Sequence, residues 1–123
     1  MVEKAPAEVL RAKYKKFEEL RAQLNKILQA EATTARSLEE AKTVLEEVKK
    51  LPDDTELYKQ VGFVLVPVKK EELVKELEAK IEELEALRAK YEKMRKEIEE
   101  DLNRLMEEIR KLAQSQGGSV LGG

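Results

Sequence analysis

Apolar residues return every three or four positions through two long stretches of this 123-residue chain, so each stretch should form a long helix with one stripe to bury. The first runs from about Ala7 to Lys50. In heptad notation its a positions are Leu10, Phe17, Leu24, Glu31, Leu38 and Leu45, and its d positions Lys13, Leu20, Ile27, Thr34, Ala41 and Val48. The second runs from about Glu71 to Gln114, with a at Val74, Ile81, Arg88, Arg95, Leu102 and Ile109. Its d positions are Leu77, Leu84, Tyr91, Ile98, Leu105 and Leu112. Seams sustained this long predict a coiled coil. At ~1.5 Å per residue the first helix reaches roughly 65 Å.

The two seams fit each other. In an antiparallel pair, a of one helix meets d of the other, and opposed residue numbers share one sum. Leu10 with Leu112, Phe17 with Leu105, Leu24 with Ile98, Leu38 with Leu84 and Leu45 with Leu77 all obey a single sum, whose midpoint is Val61, beside Gly62. The chain is therefore expected to fold back on itself. The middle layers are polar: Ile27 with Arg95, Glu31 with Tyr91, Thr34 with Arg88. One reading pairs Glu31 with Arg88 or Arg95, whose stems cover the seam; the other makes this region a bend.

Composition agrees with extended helices rather than a globule. Charged residues are 41% of the chain and aromatics 4%, too few large apolar groups for an ordinary compact core. With 24 basic and 26 acidic residues the net charge is −2, so neither a nucleic-acid surface nor an acidic tail is indicated. Cys and His are absent, which removes disulfides, the usual zinc ligands and thiol or imidazole catalysis. No catalytic pattern, metal site or cofactor loop is legible. Asp53-Asp54 reads as turn chemistry, and glycines lie only at Gly62 and in the tail, so no phosphate-cradling loop exists. No stretch has the length of a membrane span, and the polar first ten residues do not resemble a signal peptide. A cytoplasmic protein that is not an enzyme and that works by binding is expected.

Between the helices Pro52 ends the first one, because the residue before proline is pushed out of the α region. Two strands are expected at about 57–61 and 63–68, joined at Gly62, where a positive φ is natural. The segment from Phe63 to Val68 is apolar throughout, so both of its faces should be buried. A lone hairpin is marginal in water and the flanking helices cannot cover both sides. The hairpin is therefore expected to join hairpins of other subunits in a shared sheet or barrel, with Pro67 at a strand end or open edge.

The residues Leu51-Pro52-Asp53-Asp54, Leu57-Tyr58-Lys59 and Val61-Gly62, followed by an apolar strand and a Glu/Lys/Leu heptad helix, resemble the β-class subunits of archaeal prefoldin, most closely over Leu38 to Leu105. Room for one hairpin between the arms matches the β class; the α class carries two. The chain departs from that pattern in a first helix rich in Lys, Glu and Ala, and at Lys69, where a capping Thr is common. The resemblance implies a fold that is α+β and mainly α: a long antiparallel two-helix coiled coil whose central hairpin joins an oligomeric β-barrel. The domain would span 1–114, with a flexible tail at 115–123. It further implies a hexamer of two α-type and four β-type subunits that captures unfolded polypeptides without ATP and delivers them to a group II chaperonin. Leu57, Tyr58, Val61, Gly62, Phe63, Val64, Leu65, Val66 and Val68 would be its oligomerisation residues.

Geometry suggests where such clients bind. The hairpin end is taken up by subunit contacts, leaving the tips where the termini meet. Val9, Leu10, Tyr14, Phe17, Leu105, Met106, Ile109 and Leu112 are the candidate client-binding residues, adaptable apolar groups on terminal turns that Lys13 helps to fray. Arg11, Lys13, Lys15, Lys16, Arg104, Arg110 and Lys111 make that end basic. Two rival readings use the same heptads: an oligomeric tether without client binding, and an RNA-binding arm. The second wants a basic stripe and stacking aromatics, and the balanced charge argues against it.

Overall fold

The computed structural model describes residues 6–115. The chain runs α1 (Pro6–Lys50), β1 (Leu57–Val61), β2 (Val64–Val68), α2 (Lys70–Ser115). Pro6 opens α1, where its missing N–H costs nothing. The helix ends ahead of Pro52: Leu51 N–H donates to Val48 O at 3.1 Å, and Thr55 closes a turn on the Pro52 carbonyl through both its N–H and its hydroxyl, at 3.1 and 2.7 Å. The second helix starts one residue earlier than the heptads indicated. Lys69 O accepts from Leu73 N–H at 3.0 Å, and Glu71 and Glu72 sit in the first turn, where the helix dipole favours carboxylates. Ser115, expected in the tail, is still helical, its hydroxyl donating to Leu112 O at 2.9 Å. The tail expectation otherwise lies outside the described residues.

Two compact units divide the chain, at 30/31 and 90/91. In the unit built from 31–90, Leu38 is the most deeply buried side chain, 2% exposed, joined in its core by Thr34, Val48 and Leu84. Ala41, Leu45, Val74, Leu77 and Ile81 are half-buried, as seam positions should be. Flanking ion pairs repeat one heptad apart: Lys42 with Glu85 at 3.8 Å and Lys49 with Glu78 at 3.9 Å. The seam departs from the expected heptads at Arg88, which is exposed, while Leu87 is half-buried in its place. A helix with 3.6 residues per turn drifts against a strict seven-residue repeat, and an apolar neighbour takes the inner position more cheaply than a guanidinium. Arg88 therefore does not cover the seam beside Thr34 and Glu31.

In the other described unit, 6–30 with 91–115, Leu20, Leu102, Leu105 and Ile109 form the core and Leu10, Phe17, Leu24 and Ile98 pack on it. Ile27 and Ala113 are buried as well. Arg95 is half-buried and its guanidinium meets Glu99, one turn on, at 2.8 Å. Lys13 fills its seam position: Nζ donates to the Glu108 carboxylate at 2.9 Å, from a side chain less than a third exposed.

β1 and β2 pair antiparallel with Leu57 opposite Val68, Lys59 opposite Val66 and Val61 opposite Val64. Gly62 has φ 62°, and no other described residue has a positive φ, so Gly62-Phe63 is a two-residue turn with its left-handed residue first, the II′ arrangement. Phe63 is thus a turn residue rather than the first residue of a strand, because the tight turn needs a second position.

Candidate functional sites: the hairpin faces and an apolar groove

Residues directly opposite in an antiparallel pair share a face. One face of the hairpin carries Leu57, Lys59, Val61, Val64, Val66 and Val68; the other carries Tyr58, Gln60, Leu65 and Pro67. Leu57 and Val68, at the open end, are half-buried. Towards the turn the apolar side chains of both faces meet solvent: Tyr58, Val61, Val64 and Val66 are exposed, Leu65 is 66% exposed and Phe63 fully so at 106%. These are the residues singled out from sequence, and the single chain leaves them uncovered.

Polar contacts that the sequence did not announce hold the base of the hairpin. Lys59 Nζ reaches from β1 to Glu76 of α2 at 2.8 Å. Lys70 Nζ donates to Lys49 O at 3.1 Å, Leu51 O at 2.7 Å and Asp53 Oδ1 at 3.2 Å, satisfying carbonyls at the end of α1. A lysine just inside a helix of many lysines carries no mark in the linear pattern. Only the return of the chain brings it to the end of α1.

In the unit of 6–30 and 91–115, the candidate residues fall into distinct environments. Leu105 and Ile109 are buried in the chain's own seam; Val9, Leu10, Phe17 and Leu112 are half-buried. Tyr14 and Met106 are exposed, at 48% and 54%. Tyr14, Phe17, Met106 and Ile109 line one groove of about 450 Å³ together with Ala113, Asn103, Glu107 and Arg110. The heptads did not single out Ala113, which forms part of the floor; its small side chain lies one turn after Ile109, on the same stripe. Arg21 places its guanidinium 5.9 Å from the centre of the Phe17 ring.

Glu107 and Arg110 form the polar rim. The guanidinium grips both carboxylate oxygens through Nε and a terminal nitrogen, which holds the Glu107 carboxyl below its usual range and raises the Arg110 group. Arg104 meets Asp101 at 3.4 Å. Of the seven basic residues expected at this end, Lys13, Arg104 and Arg110 thus carry acidic partners, and the local charge is more balanced than their count suggests. Among the described residues no helix is long and apolar enough to cross a membrane, and no group of acidic residues is placed to hold a metal ion.

The prefoldin subunit family matches residues 11–116. Prefoldin subunit beta of Sulfolobus acidocaldarius is 40% identical over 78 residues, which cover 63% of this chain and 62% of that one. The Pyrococcus horikoshii counterpart is 44% identical over 59 residues, 48% of this chain and 50% of that one. The matched stretches therefore span between half and two thirds of these relatives' own length. The crystal structure of the prefoldin beta subunit from Thermococcus strain KS-1 is similar over 83% of this chain and 90% of that one, with TM-score 0.78 and 34% identity. Helix, hairpin and helix recur there in the same architecture, and with a family match over nearly the whole described length this chain belongs to the prefoldin family, among its β-type subunits.

Proposed function

We propose that this chain is a subunit of an ATP-independent holdase chaperone that assembles through its hairpin and holds unfolded polypeptides in the groove between Tyr14 and Met106. The observation that carries the reading is the hairpin: apolar side chains exposed on both faces near its turn, a surface that water penalises and that strands from neighbours would cover. An α-type prefoldin subunit and further β-type copies, in a hexamer of two and four, are the proposed occupants.

Clients would meet the groove through Tyr14, Met106 and Phe17, with Ile109 and Ala113 as floor. A thioether and two aromatic rings adapt to segments without a fixed shape, and burial of apolar surface needs no directional match. Leu105 supports that floor from inside the seam, and Val9, Leu10 and Leu112 extend the apolar margin when end turns open. Delivery to a group II chaperonin is the corresponding next step, in the cytoplasm, with binding rather than catalysis as the whole of the chain's chemistry.

The test is aggregation of a chemically denatured client diluted into nucleotide-free buffer, in the presence of the assembled protein. Full-length protein, a version trimmed to residues 17–106 and the double variant Tyr14→Ser/Met106→Ser are compared after light scattering has verified the same oligomeric state. Suppression by the full-length protein that the trimmed and double variants lose supports the reading. An assembled full-length complex that suppresses nothing would leave a tether, without client capture.

A further inference from the structure

Lys70 occupies a singular place in this fold. The last carbonyls of a helix have no intrahelical donor and carry the negative end of its dipole. At the end of α1 those of Lys49 and Leu51 are met by the ammonium of Lys70, which also reaches Asp53 in the turn leading to β1. An ammonium has three donors, and here all three are used. The side chain is 17% exposed although Asp53 is fully exposed, so the carbonyl contacts, rather than the surface ion pair, account for its position.

Its place in the chain gives those contacts leverage. β2 ends at Val68, two residues before Lys70, while Leu51 and Asp53 lie on the approach to β1 at Leu57. One side chain thus ties the foot of each strand to the end of α1. Packing at the hairpin base is incomplete: a cleft of about 1230 Å³ opens between it and the helix ends, with Tyr58, Pro67, Val68, Lys49, Glu78 and Lys70 in its walls. Lys59 to Glu76 is the second stay, from β1 to α2, and it is more exposed.

We infer that Lys70 is a positioning residue for assembly: its ammonium, gripping the end of α1, sets the angle at which the hairpin is presented to the strands of neighbouring subunits. This rests on the proposed role of the hairpin as the assembly element. Removing the charge frees both feet, and each subunit must then order its hairpin at the moment of association, which raises the concentration needed.

Wild type, Lys70→Gln and Lys70→Arg are each titrated with an α-type prefoldin subunit and assembly is followed by sedimentation. In parallel, spin labels on cysteines at Glu47 and Gln60 report the distance from α1 to the hairpin below the assembly concentration; the native chain has no cysteine, so the labels are unique. Lys70→Gln is expected to raise the half-assembly concentration by about tenfold or more, equivalent to about 1.4 kcal/mol. Its helical circular dichroism stays at the wild-type level and its label distances broaden, while Lys70→Arg recovers most of the assembly. Assembly of Lys70→Gln at the wild-type concentration overturns the inference, and so does an unchanged label distance. Wild-type protein that fails to assemble overturns the reading of the hairpin itself, a result separate from either.

Discussion

At the scale of single residues, burial decides what each side chain contributes. Leu38 is surrounded on all sides in the seam of its unit, so Leu38→Ala removes a packed isobutyl group and leaves a void. A loss of about 2–5 kcal/mol is expected, read as a lower midpoint in thermal unfolding followed by helical circular dichroism. Most of this was legible in the sequence, because a leucine at a heptad a position opposite Leu84 has few other places to go. Arg88 was not legible: the heptad put it inside and the helix turns it out, a local drift that the neighbouring Leu87 exploits.

The groove rim has its own residue-scale signature. Arg110 lowers the Glu107 carboxyl, so their attraction is complete above the ordinary carboxylate range and is lost as pH falls through the lowered value. Both side chains stand at a solvent-facing rim, where water screens the pair, so the consequence is local charge rather than fold stability. Arg110→Gln should return the Glu107 titration midpoint, followed by NMR of its side-chain carboxyl carbon, upward to the usual range. An unmoved midpoint would mean that another group holds the carboxylate.

Among the elements, the hairpin shows where sequence reasoning stops short. Strand character, the break at Pro52 and the positive φ at Gly62 were all readable from residue type. The turn's second residue was not, since Phe63 continues the apolar run and nothing in its chemistry says turn; only the register of Val61 with Val64 assigns it. The turn also makes a clean prediction. A Cβ at Gly62 would meet no atom within 4 Å, so Gly62→Ala should cost only its left-handed backbone, about 1–2 kcal/mol, seen as faster hydrogen exchange in β1 and β2 with α1 and α2 unaffected. The contacts of Lys59 and Lys70 were invisible for a different reason. They depend on where the chain returns in space, and periodicity encodes faces, not ends.

At the scale of the whole molecule, the helices bury their seams within the chain while the hairpin leaves both faces apolar and open near its turn. A coiled coil alone would be self-sufficient; this hairpin is not, and that asymmetry makes assembly the central claim. Tyr14, Phe17, Met106 and Ile109 were picked from sequence as apolar residues at the ends of the helices, and the groove they line became visible only in the structure. Leu105 belongs to the core, and the rim of Glu107 and Arg110 emerged only from geometry. The most direct test is the solution mass of the full-length chain by light scattering, alone and with an α-type prefoldin subunit. Assembly through the hairpin predicts a species several times the 14.1 kDa of one chain, which Leu65→Asp dissociates while helicity is retained. A wild-type chain that stays at 14.1 kDa in both mixtures, fully helical, would contradict the account.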